Sequence, residues 1–312
     1  MKYALVSIMG NVGSTFGSQG GGYGLIATKM MRDTYPQDQI DVNPKPETWH
    51  DYDHIFVCEG VNFVEGSFNV PGGPQQIHHD KMKAMGGYTK GITFINQKFD
   101  FEKFNKRIDI KYAQFPKGDL INLFIETGLK SKKCVIGDSH ALSVWRPGFG
   151  LDWTAGRTLH GFLKRNTPEL INDEYDETIL YFGNIDLRFH LMRQEDPVGA
   201  TVELFTRYVN FAKQLKNCTL VELIPVEHES RKIPGTGLYK KQPFFGARMV
   251  RMQLRSIANQ ILRESGLPII AWPQEWIDED GTKMLDILES KQSVHLKPKN
   301  YPYLNQIIDV SK

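Results

Sequence analysis

Cysteine is scarce and scattered. Cys58, Cys134 and Cys218 are the only three in 312 residues, and no Cys-x-x-Cys pair occurs. An odd, widely spaced set argues against a zinc ribbon or a disulfide framework. A reducing, cytoplasmic setting is expected. Cys134 and Cys218 each open an apolar run, where a small buried thiol is the ordinary reading. Long apolar runs are also missing, and none approaches the ~18 residues of a membrane span. The opening MKYALVSIMG carries one Lys and an apolar stretch no longer than a strand. It reads as a first β-strand and not as a signal peptide. Neither sign of charge is in excess: 38 Lys and Arg stand against 36 Asp and Glu. That balance gives no bulk-charge argument for a polyanion partner. No internal repeat is present, and the one biased segment is a Gly-rich turn near the start.

The chain alternates short apolar runs with helical patterns, which indicates parallel α/β architecture. Residues 3–9, 54–58 and 91–96 read as strands of a first, Rossmann-like unit over about 1–125. Residues 10–24, GNVGSTFGSQGGGYG, form its Gly-rich turn. A second unit over 132–312 is expected to be a three-layer α/β sandwich around a parallel sheet. Its strands are placed at 134–137, 177–183, 219–225 and 268–272. Val202, Phe205, Val209 and Ala212 give one helix an apolar face, and Val250, Leu254, Ile257 and Ile261 do so for another.

Three polar clusters follow strands or precede the last helix: Gly137-Asp138-Ser139-His140, Gly183-Asn184-Ile185-Asp186-Leu187-Arg188-Phe189-His190, and Gln292-Ser293-Val294-His295-Leu296-Lys297-Pro298. Open parallel sheets gather their carboxyl strand ends in one crevice, so the three could converge. In this order they resemble the SGNH (GDSL-like) hydrolases. The GDS turn of that family is matched by residues 137–139. Its terminal Asp-x-x-His block is matched by 292–298, with Gln292 in the place of the Asp. The middle cluster resembles an atypical branch with Gly-x-Ile-Asp-x-Arg-x-His. Pro243-Phe-Phe-Gly246 and Asp278-Glu-Asp-Gly281 resemble that branch as well. The resemblance covers about residues 132–312.

It implies a serine esterase or acyl-transfer enzyme that requires no cofactor. Ser139 is then the nucleophile and His295 its base, since a hydroxyl attacks only once a base takes its proton. The backbone N–H groups of Ser139 and Gly156 would hold the oxyanion, with Asn184 as side-chain donor. Strict alignment puts Ile185 at the family's Asn position, so Asn184 would act from the neighbouring one. Gln292 brings no charge to orient the histidine. Asp186 or Glu289 could reach it instead, or a backbone carbonyl could. Asp138 belongs to the same turn. His140, Arg188 and His190 are candidates for binding an anionic or glycosyl substrate, with Arg188 and His190 on the same side as Asp186 if the segment stays extended. Other readings stay open. Asp138 and Ser139 are both preferred helix N-caps, and Asp186 with Arg188 makes a plausible loop-fixing ion pair.

The Gly-rich turn offers Gly10, Gly13, Gly20 and Gly21 as backbone contacts to a phosphate. Its spacing matches neither common dinucleotide or P-loop pattern. It is loosely similar to the first turn of two-domain glycosyltransferases. Residues 231–255 are basic and interleaved with aromatics, and Arg248, Arg251 and Arg255 form one helical stripe. Gly235 and Gly237 could let 231–243 close as a lid. Together these features support an alternative: a nucleotide- or nucleic-acid-dependent transferase, for example one that modifies DNA bases, fed by a nucleotide-activated donor. A glycan-binding relic without turnover is a third reading. No metal site is expected; His78-His79-Asp80 reads as surface.

Overall fold

The chain divides into two compact units, Met1–Lys130 with Val310–Lys312, and Ser131–Asp309. The computed structural model describes residues 1–6, 26, 28–29, 31–32, 35–42, 44–57, 91–94, 131–153, 157–225, 245–276, 287–288 and 295–303. In the first unit β1 (Lys2–Val6), β2 (Gln39–Val42), β3 (His54–Val57) and β4 (Gly91–Phe94) make a parallel sheet in the order β2-β1-β3-β4. Tyr3, Leu5, Met31 and Phe56 form its buried core. The sequence reading lacked β2, whose QIDV is short, half polar and only partly buried at the sheet edge. The Gly-rich turn with Gly10, Gly13, Gly20 and Gly21 lies outside the described residues, as do His78 to Asp80 and the segment 226–244.

The second unit is a five-stranded, wholly parallel sheet in the order β6-β5-β7-β8-β9. Its strands are β5 (Lys133–Gly137), β6 (Gly150–Trp153), β7 (Glu177–Tyr181), β8 (Cys218–Val221) and β9 (Ile269–Ile270). β5 and β7 are central, and their runs CVI and ILY are fully buried because helices cover both faces. Renumbered from the first of this unit, the order is 2-1-3-4-5, the flavodoxin-like doubly wound arrangement. The parallel α/β sandwich expected of an SGNH-like domain is therefore present. In such sheets the crevice opens where the chain reverses direction across the sheet, here between the ends of β5 and β7. β6 was not legible either: GLDW is four residues at an edge, with a burial pattern half in and half out.

Helices start where side chains satisfy the free N–H groups of a first turn. Thr158 Oγ1 accepts the Gly161 N–H at 2.9 Å and opens α1 (Leu159–Arg165). Pro168 starts α2 (Pro168–Glu174) behind Thr167. α3 (Asn184–Phe189) follows β7 directly through Gly183, at φ 105°. Asp196 Oδ1 accepts the Gly199 N–H at 2.9 Å to open α4 (Pro197–Ala212). α5 spans Arg248–Arg263. Core residues include Cys134, Ile136, Phe162, Leu180, Phe182, Phe205, Tyr208, Leu220 and Leu254. Each such aliphatic or aromatic burial stabilises by roughly 1.5–3 kcal/mol before entropy is counted. Cys134 and Cys218 are buried free thiols, as expected, and burial pushes both up to about 12.

Two helix faces differ from the sequence reading. On α4, Phe205, Val209 and Ala212 are buried, but Val202 is 43% exposed and Leu204 and Tyr208 take the inward positions. On α5, Val250 faces outward, and the buried face carries Arg248, Arg251, Leu254, Arg255, Ala258, Asn259 and Leu262. The arginine stripe is turned inward for a reason of hydrogen bonding. Leu223, two residues beyond β8, is buried, and its backbone groups must be paired. Arg255 Nε donates to Leu223 O at 2.9 Å, while Asn259 exchanges bonds with both the N–H and the C=O of Leu223. Arg251 Nη1 donates to Gly246 O at 2.6 Å and holds the loop before its own helix.

Candidate active site

β5 ends at Gly137, where a Cβ would strike the Tyr181 carbonyl and lie 2.8 Å from Ala141 Cβ. The glycine lets β5 and β7 stay paired while the chain turns sharply. Asp138 N–H still donates to Tyr181 O at 3.2 Å, and Ala141 N–H reaches back to Asp138 O at 3.1 Å. The turn opens a four-residue 3₁₀ helix, Ala141–Val144, capped by His140 without a side-chain bond. Ser139 therefore sits at the carboxyl end of a central strand, at the reversal point of the sheet.

Across it lies His295. Ser139 Oγ and His295 Nε2 are 2.7 Å apart, and the two residues are separated by 156 positions in the chain. For the hydroxyl to donate, Nε2 must carry the lone pair, the tautomer a general base needs. The segment holding His295 is pinned by an antiparallel bridge between Leu288 and Leu296 and by the Lys297 N–H donating to Ile287 O at 2.9 Å.

Behind the pair is a buried polar network. Asp138 Oδ1 accepts both the backbone N–H and Nδ1–H of His140, each at 2.8 Å. The other ring nitrogen of His140 stands 3.3 Å from Arg188 Nη2. Burial, above all, pushes His140 down to about 4, so it is neutral at ordinary pH. Its ring centroid is 4.9 Å from that of His295 and 5.9 Å from that of Tyr181. Burial also drives the Tyr181 phenol well above its usual range. Asn184 is 3% exposed, and its amide lies beside the Tyr181 hydroxyl. Among the described residues Asn184 Nδ2, Tyr181 Oη and Asp138 Oδ2 have no hydrogen-bond partner.

The cluster 183–190 is helical and not extended, which corrects the expected geometry. Successive helical residues turn by about 100°, so residues two apart face away from each other. Asp186 points to α1, where its carboxylate accepts the N–H groups of Leu159 at 2.7 Å and His160 at 3.2 Å. Burial raises its pKa, against those two bonds. Asp186 is thus committed to a helix start and not to His295. Arg188 points the other way, with Nε donating to Asn184 O at 2.9 Å. No ion pair joins Asp186 and Arg188 among the described residues. His140 and Arg188, each 3% exposed, are interior groups and not open substrate contacts. Arg248 and Arg251 are buried as well, at 8% and 0%. His190 lines a cavity of about 450 Å³ shared with Thr158, His160, Asp186, Gln194 and Arg207. His160, Arg207 and Tyr181 were not singled out from sequence; a tyrosine among the aliphatics of β7 was the one available signal. Gly156, Glu289 and Gln292 lie outside the described residues.

No family model matches the chain, and no curated protein does. Solved structures similar to it include a GDSL-like lipase from Bacteroides thetaiotaomicron, at 16% identity and TM-score 0.41, covering 58% of this chain and 88% of that one. A putative acylhydrolase from Bacteroides fragilis has 15% identity and TM-score 0.41, over 58% and 86% of the two chains. A carbohydrate acetylesterase family member from Sinorhizobium meliloti has 12% identity and TM-score 0.37, over 56% and 93%. With every TM-score below 0.5, these likenesses assign no role to the second unit. The roles of its residues are argued from its own geometry. Among the described residues no helix is long and apolar enough to cross a membrane, and no group of three or more His, Cys, Asp or Glu could hold a metal.

Proposed function

We propose that the second unit is a serine esterase or acyl-transfer enzyme in which Ser139 is the nucleophile and His295 its base. The observation supporting this reading is the 2.7 Å contact between Ser139 Oγ and His295 Nε2 at the reversal point of a parallel sheet. Ser139 gives its proton to Nε2 as Oγ attacks the ester carbonyl. The carbonyl electrons move onto oxygen, and the Asn184 amide, buried beside the Tyr181 hydroxyl, is the side-chain donor assigned to that oxyanion. Collapse of the tetrahedral species expels the alcohol, which takes the proton from His295. Water or a hydroxyl acceptor then attacks the acyl-serine with His295 again as base, which restores Ser139.

The pocket beside α3 and α4 combines donors and acceptors with the apolar Leu191, Ala200 and Leu204. Ser139, Asn184 and His295 are not among its lining residues, so it is no part of the reacting centre, and the anionic or glycosyl conjugate expected from sequence is proposed as substrate without it. The test is intact-mass labelling with phenylmethylsulfonyl fluoride, together with hydrolysis of short acyl esters, on wild type and Ser139→Ala. Labelling of wild type alone, with ester turnover lost in the variant, is expected. An unlabelled wild type, or a variant with unchanged turnover, would sink the reading.

A further inference from the structure

We infer that Asp138 and Arg188, acting through His140, set the charge felt at His295 and so the pH range over which it serves as a base. The inference rests on Ser139–His295 being the working pair, and it assigns positioning residues to that pair. Arginine keeps its charge and has no acceptor, so the Arg188 Nη2 group facing His140 Nε2 must donate. The other ring nitrogen must then carry hydrogen, which it gives to Asp138 Oδ1. His140 is thereby locked in one neutral tautomer between a carboxylate at 2.8 Å and a guanidinium at 3.3 Å. The His295 ring packs on that fixed imidazole, 4.9 Å away. In an ordinary triad a carboxylate three positions before the histidine stabilises the imidazolium. In this chain that position is Gln292.

Among the described residues, other ionisable groups near this network have the following places. Asp186 on α3 is bound to the backbone of α1. Tyr181 on β7 stays neutral. Arg255 on α5 donates to Leu223 O, and Lys297 and Lys299 follow His295 in the chain. Among the described residues the opposed charges closest to the His140 ring are Asp138 and Arg188. Removing one leaves the other uncompensated beside His295, and like or opposite charges at such range move a titration.

The experiment follows the His295 ring by NMR titration in the full chain, assigned with His295→Gln, for wild type, Asp138→Asn and Arg188→Gln. Asp138→Asn keeps an oxygen to accept both His140 N–H groups and removes only the negative charge. Its His295 titration is expected to fall by about one pH unit, and that of Arg188→Gln to rise by about as much. The low-pH limb of Ser139 labelling by phenylmethylsulfonyl fluoride should move in the same directions. If one variant does not fold, the direction seen in the other decides. Unmoved titrations, or shifts of the same sign in both variants, overturn the inference. Opposite shifts in the two variants, in a protein never labelled at Ser139, would remove the esterase reading and leave the charge relation standing.

Discussion

The carboxylate of Asp186 holds the backbone N–H of Leu159 at 2.7 Å, tying the second turn of the site to the start of a helix 27 residues earlier. A buried acid with two backbone donors contributes as a cap does, not as a proton carrier. Asp186→Ala should therefore lower unfolding free energy by about 1–3 kcal/mol, with Asp186→Asn milder. Urea denaturation measures it. An Asp186→Ala protein of unchanged stability that no longer reacts at Ser139 would instead make Asp186 the partner of the base.

Asn184 is the residue to test for oxyanion stabilisation. Asn184→Ala should cost about 10²- to 10³-fold in kcat on a short acyl ester, with KM little changed, as for loss of one preorganised donor. A change confined to KM would place Asn184 in substrate binding. A kcat within threefold of wild type would leave the oxyanion to backbone groups.

Gly183 joins β7 to α3 at φ 105°, and a Cβ there would meet the Phe205 ring at 2.6 Å. Gly183→Ala combines a conformation L residues avoid with a clash in the core. A loss of about 2–4 kcal/mol is expected. Adding Phe205→Leu should return the part due to the clash and not the part due to φ, a separation that denaturation of both variants would reveal.

His140 makes stability depend on pH. Its folded pKa is pushed from 6.5 to about 4, chiefly by burial. Between those values the unfolded chain binds the proton that the folded one refuses. The contribution is complete above pH 6.5 and is lost as pH falls toward 4, over a span on the order of 3 kcal/mol. His54 in the first unit, also pushed down to about 4 by burial, works in the same direction. Denaturation midpoints at pH 7 and pH 5 should differ less in His140→Gln than in wild type. An equal difference in the two proteins would show that His140 does not carry it.

Arg251 offers a contrast with the basic-patch reading of the sequence. It is fully buried and donates to Gly246 O at 2.6 Å. Arg251→Met should destabilise the second unit while leaving the salt dependence of any nucleic-acid binding unmoved. A reduced salt slope in a normally stable variant would mean that Arg251 reaches phosphate after all.

What was legible from sequence follows from how local each signal is. Cys134-Val-Ile-Gly reads as a buried strand because both faces are covered, and the turn residues after it announce a strand end. Ser139 and His295 were legible through their motifs. Their approach was not, because no local pattern encodes a contact across the sheet. Edge strands β2 and β6 escaped because half-exposed tetrapeptides look like loops. Arg248, Arg251 and Arg255 misled because charge suggests solvent, whereas all three are buried, with Arg255 donating to Leu223 O beyond β8 and Arg251 to Gly246 O before α5. Asp186 and Arg188 misled through period: a segment read at two residues per repeat is wound at 3.6, so neighbours on paper became opposite faces.

The 156-position separation of Ser139 and His295 also has a meaning in time. At ribosomal speed that length of chain takes roughly 10–30 s to make. Throughout that interval Ser139 has been made and His295, its base in the proposed reaction, has not. The nascent chain is chemically silent, and reactivity arrives with the segment that closes onto the sheet last.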